Sequence, residues 1–163
     1  MRYLTALAAC CLLIGSCTKS GDVKPTREDD LRSGKWQMSA GALRFDPAIG
    51  ADTTYNFFDS LPSCRKDDYL VFSAGMSGTQ NSPTKCDPSQ PDLVDFGWYL
   101  ENNGNTINFI NAFQTFLHQA AVSAPFTSYT GNSFTIQYKN FAKNKIDSLR
   151  NDTLTYTYSF KRK

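Results

Sequence analysis

The sequence predicts an all-β protein, a small antiparallel up-and-down β-barrel of about eight strands with a short N-terminal helix in front of it. Three observations carry this. Apolar and polar residues alternate in short runs along most of the chain, the period of half-buried strands. Turn-forming residues punctuate those runs. Aromatic residues make up 13% of the 163 residues, and aromatics favour pleated, half-buried surfaces. Many short antiparallel strands leave unpaired edges, and closure into a barrel removes them.

Residues 1–16 stand apart from the barrel. Met1-Arg2-Tyr3 is a short basic start. Leu4–Ile14 is an apolar run too short for a bilayer, which needs about 20 residues, and it has the length of a signal-peptide core. It leads into Ile14-Gly15-Ser16-Cys17: an aliphatic residue, two small ones, then cysteine. That is the layout of a bacterial lipoprotein signal, cleaved so that Cys17 receives the lipid. Leu7-Ala8-Ala9-Cys10 satisfies the same pattern. Cleavage there would halve the apolar core and expose Leu12-Leu13-Ile14 at the new terminus. An ordinary secretory signal with incidental cysteines is the plainer alternative. Cys17 is the expected lipidation site. One acyl chain binds membranes only marginally, so a diacylglycerol with a further palmitate-like chain makes the anchor. The expected location is the bacterial cell envelope, lipid-anchored to a membrane, with the outer membrane favoured and its face open. Residues 17–25 are the lipidated cysteine and a polar tether. Residues 26–163 are the barrel domain.

Thr26 can cap a helix whose first turn, Arg27-Glu28-Asp29-Asp30, is acidic, and Gly34 ends it. Trp36, Met38 and Ala40 then alternate with Lys35, Gln37 and Ser39. Asp46–Pro62 is a long connection with Tyr55–Phe58 as one helical turn, and such connections are often functional. Asp68–Ala74 is a strand largely apolar on both faces. Phe96, Trp98 and Leu100 share one face of the next. Asn102-Asn103-Gly104-Asn105 is a hairpin turn into Thr106–Ile110. In Asn111–Ala121, Phe113, Phe116, Leu117, Ala120 and Ala121 recur at helical spacing, and Asn111 with Gln114 forms a capping pair. A short lid helix is expected there in preference to a strand, stopped by Pro125. Phe134, Ile136 and Tyr138 alternate in a further strand. A strand Lys145–Arg150 and a turn at Asn151-Asp152 lead to the clearest strand, Thr153–Phe160, where Leu154, Tyr156, Tyr158 and Phe160 share one face.

Cys64 and Cys86 are the cysteines of the barrel domain. An exported compartment is oxidising, so an even pair reads as one disulfide. A two-cysteine metal site lacks further ligands, because the sole histidine, His118, is distant and no C-x-x-C occurs. The net charge is +2. The only basic cluster is Lys161-Arg162-Lys163, which argues against nucleic acid as a partner.

Gly34-Lys35-Trp36 resembles the G-x-W signature of the lipocalin superfamily, placed where a short N-terminal helix enters the first strand. In that family a basic residue near the end of the last strand packs across the tryptophan. The resemblance assigns that place to Arg162 or Lys161. The wider layout resembles the lipocalin-like lipoproteins of Gram-negative envelopes more closely. Leu31-Arg32-Ser33-Gly34-Lys35-Trp36, Cys64-Arg65-Lys66-Asp67-Asp68-Tyr69-Leu70-Val71-Phe72, Thr84-Lys85-Cys86-Asp87-Pro88, Gly97-Trp98-Tyr99-Leu100 and Leu154-Thr155-Tyr156-Thr157-Tyr158 carry it. Together they span most of residues 31–161. The chain departs from that pattern in the insertion-like stretch Phe109–Pro125 and the long connection Asp46–Pro62. The resemblance implies a lipocalin-like β-barrel.

No catalytic constellation accompanies His118, and no cofactor or metal is implied. Asp67-Asp68 lacks the dense oxygen ligands of a calcium site. Met38, Phe72, Trp98, Tyr138, Tyr156 and Tyr158 fall on inward faces of different strands and are the candidate ligand-binding residues. Small barrels often fill their interiors, so a packed core is the plain reading of these side chains. The sharper reading is an apolar cavity with tyrosine hydroxyls as polar handles. Two functions are therefore weighed, beside a third, an enzyme, which needs His118 to face a cleft beside a nucleophile or carboxylate. One is a monomeric, non-catalytic binder of a small hydrophobic or amphipathic ligand. The other is a structural or interaction protein with a filled barrel that docks an envelope partner through its loops. A hollow interior favours the first and a solid core the second.

Overall fold

The computed structural model describes residues 25–112 and 114–163. The signal segment, Cys17 and the tether through residue 24 lie outside the described residues, as does Phe113. Helix α1 (Arg27–Arg32) precedes β1 (Lys35–Asp46), β2 (Thr53–Tyr55), the one-turn helix α2 (Ser63–Lys66), β3 (Tyr69–Phe72) and β4 (Ser77–Asn81). Then follow β5 (Leu93–Glu101), β6 (Thr106–Ile110), β7 (Ala121–Thr130), β8 (Ser133–Lys143) and β9 (Asn151–Arg162). Every pairing is antiparallel between neighbours in the order β2-β1-β3-β4-β5-β6-β7-β8-β9, and β1 also pairs with β9. β1 and β3 to β9 therefore close an eight-stranded, lipocalin-like barrel. β2 is an extra strand on the far half of β1, beyond the three residue pairs that β1 shares with β3.

Helix α1 is too short to persist alone and is held by its contacts. Thr26 and Asp29 form a reciprocal capping box. Leu31 is fully buried. The Arg27 guanidinium donates to the Gly104 carbonyl in the β5–β6 turn and lies 4.4 Å from the Tyr129 ring centroid. These contacts lay α1 across one end of the barrel. The long connections between β1 and β3, β4 and β5, β6 and β7, and β8 and β9 gather at the other end, the mouth. The Cys64–Cys86 disulfide joins two of them, and closing a loop of that size contributes about 3 kcal/mol.

Phe72 is the hub of the interior. Its ring centroid lies 4.9 Å from Trp98, 5.8 Å from Phe96 and 6.2 Å from Phe109. Edge-on and tilted packing of this kind fills the region solidly.

Several elements differ from expectation. A β-bulge between Met38 and Ala40 breaks the register of β1 against β9. The extra residue reverses the alternation, so Ala40 is exposed, while Gly41 is buried and Leu43 partly so. Residues 111–112 and 114–120 are turns, bends and irregular backbone without helix. Asn111 and His118 both adopt left-handed φ, 55° and 51°, which no right-handed helix accommodates. Pro125 does not stop the chain; it is an exposed position of β7 opposite Thr106. Residues 144–150 form the β8–β9 connection where a strand was expected. The Asn144 side chain accepts from the Ile146 and Asp147 amides, a turn device that competes with the ladder. Asn151 and Asp152 belong to β9 and pair with Lys143 and Ala142. Tyr55 ends β2, and Phe57–Ser60 is a turn, not a helical one. Strand β4 escaped the pattern because Ser77-Gly78-Thr79-Gln80-Asn81 has no apolar side chain; its inward positions are Gly78 and Gln80.

Candidate functional site

The interior is not filled throughout. A cavity of about 330 Å³ lies between the β1–β9 wall and residues of the mouth segments. Trp36 forms its floor. Its indole N–H donates to the Leu31 carbonyl at 2.8 Å, which fixes the ring against α1. The Arg162 guanidinium lies 5.1 Å from the Trp36 ring and donates to the Asp30 carbonyl at 2.9 Å. Gly34 permits this approach, because a Cβ there would stand 2.9 Å from the Arg162 Nε.

Above the floor, β1 contributes Met38 and, past the bulge, Leu43. Gly41 lies between them. A Cβ at Gly41 would stand 2.3 Å from the Phe57 ring, so only glycine lets Phe57 lie over the strand. The Gly41 carbonyl accepts from the Phe58 amide at 3.2 Å. Beside it on the same wall, β9 contributes Tyr156, Tyr158 and Phe160. Phe57 packs 5.3 Å from the Tyr158 ring. Phe116, from the β6–β7 connection, packs 5.4 Å from both Tyr158 and Phe160. Phe57 and Phe116 thus enter the barrel from two mouth segments.

One side of the lining is polar. Asp68, Arg65 and His118 face the cavity. Asp68 is buried, its Oδ2 accepts from the Gln80 amide at 2.9 Å, and the Arg65 guanidinium stands 3.7 Å away. The same Gln80 side chain accepts from the Phe116 amide at 2.9 Å. A buried relay thus links β4 to Asp68 and pins the segment that carries Phe116. Burial pushes the Asp68 carboxyl above the usual range, and the nearby Ser82, Arg65 and Gln80 pull it partly back. Burial likewise raises the phenols of Tyr158 and Tyr138. They are neutral hydroxyls near neutral pH, suited to hydrogen bonding and not to base chemistry.

Of the residues singled out in the sequence, Met38, Tyr156 and Tyr158 line the cavity. Phe72 and Trp98 belong to the packed interior, where the Trp98 indole donates to the Ser77 carbonyl at 2.8 Å. Tyr138 stands behind the lining, stacked 5.0 Å from Tyr156 at 10°. Sequence reasoning missed Leu43, Phe57, Phe116, Arg65 and Asp68. Leu43 was hidden by the bulge, and the rest sit in connections whose patterning did not mark them as cavity-facing. The length of those connections was the available signal.

No protein-family model and no curated protein matches the chain. Among the described residues no helix is long and apolar enough to cross a membrane. No group of three or more His, Cys, Asp or Glu gathers there as metal ligands. Among the described residues, the cavity lining includes no Ser, Thr or Cys. What remains is an apolar, aromatic chamber with a polar rim on one side. It can hold an apolar body and orient a polar group.

Proposed function

We propose that the protein is a lipid-anchored envelope lipoprotein of the lipocalin-like kind, whose barrel binds a small hydrophobic or amphipathic ligand without catalysis. The observation that carries this reading is the chamber over Trp36. Its volume falls at the lower end of small-molecule sites, about 300–1,000 Å³, and its walls are aromatic and aliphatic with a few convergent polar groups. A compact ligand fits this size better than a long one. Its polar group would face Arg65, Asp68 and His118. Cys17 and the lipoprotein layout of residues 1–17 support the anchorage.

Native mass spectrometry of the protein purified from an envelope tests the reading. A small molecule should leave the protein on collisional activation, and Leu43→Trp should abolish its retention by filling the chamber. A wild-type protein that carries nothing, and whose tryptophan fluorescence ignores added apolar probes, would point to the filled-barrel interaction protein.

A further inference from the structure

The apolar side chains that water touches are concentrated at one end. Of the eight large ones exposed among the described residues, only Met76 lies at the α1 end. The densest group belongs to the β8–β9 hairpin. Phe141, Ile146 and Leu149 are 69%, 79% and 93% exposed. Burying apolar area is favourable, so presenting three such side chains on one hairpin is costly unless something covers them.

Their exposure does not come from a loose loop. Asn144 is buried and accepts from the amides of Ile146 and Asp147 at 2.8 and 2.9 Å. Its amide donates to Asp152, also buried, and Asp152 in turn accepts from the Ala48 amide at 2.9 Å. The tip is therefore built, and its turn is tied to the β1–β2 connection. A groove of about 490 Å³ runs between the two, with Ile49 on one lip and Ile146 on the other.

Charge says what covers this surface. Lys139, Lys143 and Lys145 are exposed on the same hairpin. The hairpin's acidic Asp147 is matched by Arg150 at 3.1 Å. Asp152 is buried beneath it. None of the three lysines forms an ion pair among the described residues. Apolar side chains at a tip with unpaired lysines beside them match the headgroup boundary of an anionic bilayer. A second copy of this chain would set those lysines against each other.

We propose that the β8–β9 hairpin tip is a membrane-contact element for anionic lipid surfaces. Phe141, Ile146 and Leu149 enter the headgroup boundary while Lys139, Lys143 and Lys145 face lipid phosphates. This does not depend on what the chamber holds. It does place the chamber's open end beside the bilayer, so that an apolar ligand is exchanged with little exposure to water. The geometry permits contact and anchorage together. The steps from Cys17 to Pro25 reach at most about 28 Å when extended. Strands of this length, tilted as barrel strands are, give a height of about 28 Å as well. Phe141 and Lys139 lie on the outer flank of β8, so a barrel resting on that flank needs less reach still.

The test places an environment-sensitive fluorophore on Leu149→Cys in the purified full-length protein, mixed with vesicles containing brominated lipids. Met76→Cys at the opposite end is the reference. In phosphatidylglycerol vesicles, quenching at position 149 should exceed that at position 76 by about threefold or more. It should weaken in ~0.5 M salt and in K139Q/K143Q/K145Q. These positions are exposed, so circular dichroism of the variants should match the parent. An aqueous, unquenched fluorophore at 149, or equal quenching at both positions, overturns the proposal. So does self-quenching that rises with protein-to-lipid ratio, which would assign the patch to a second copy of the chain.

Discussion

At the scale of single residues, the chamber depends on atoms that are absent as much as on those present. Gly41 is the sharpest case, since a methyl group there meets the Phe57 ring. Gly41→Ala should destabilise the fold by about 1–3 kcal/mol, the usual cost of overpacking, and should displace Phe57 and weaken binding of an apolar probe. Thermal unfolding and tryptophan fluorescence titration read the two effects separately. Asp68 gives a prediction in pH. Its folded-state carboxyl titrates above the ordinary 3.8 because of burial, so the folded state holds the proton more tightly than the unfolded chain. That contribution to stability is full below the ordinary value and is lost as pH rises through the raised one. Asp68→Asn should therefore flatten the melting temperature against pH in the window that opens just above pH 3.8. A wild-type advantage over Asp68→Asn that grows as pH rises through that window would show that Asp68 is held ionised. Gly41 was not legible as a site residue, because its role arises from a ring contributed sixteen positions later.

At the scale of elements, the strands with clean alternation were legible and the connections were not. β5, β8 and β9 write their inward faces in Phe, Tyr, Trp and Ile, and burial forces the register. β1 was read correctly only as far as Met38, because a bulge is one extra residue with no compositional mark. The 111–120 segment carried helical spacing, yet its apolar side chains serve tertiary partners. Phe116 packs on β9, and its amide is held by Gln80. Helical periodicity and a loop that drops aromatics into a barrel look alike in one dimension. Gln80 is therefore the residue that decides how this segment sits. Gln80→Leu would strand the Phe116 N–H and one Asp68 oxygen, and each unsatisfied buried group costs about 1–3 kcal/mol. The expected result is a lower melting temperature together with faster proteolysis within residues 111–120. Cleavage that speeds up equally everywhere would mean that Gln80 stabilises the barrel without holding that segment.

At the scale of the whole molecule, the barrel is divided into a solid part and a hollow one. Aromatic packing around Phe72 leaves that part no slack, whereas the space above Trp36 is ringed by side chains that contact one another across a void. The Cys64–Cys86 bridge ties two mouth segments to each other and the Gln80 relay ties a third to β4, so the fold itself holds the hollow open. This division makes the two halves respond unequally to loss of side-chain volume. Phe72→Ala should cost about 3–5 kcal/mol, because a close-packed site cannot collapse around the gap. Phe116→Ala should cost clearly less, because its ring already borders empty space, and it should widen the chamber for bulkier probes. Leu43→Phe should do the reverse, leaving the stability within about 1.5 kcal/mol of the parent while abolishing probe binding. Chemical denaturation of the three variants, each with and without an apolar fluorescent probe, checks the pattern. Equal destabilisation by Phe72→Ala and Phe116→Ala would mean the mouth is as tightly packed as the rest. The barrel would then be filled, and its function would have to lie on its outer surface.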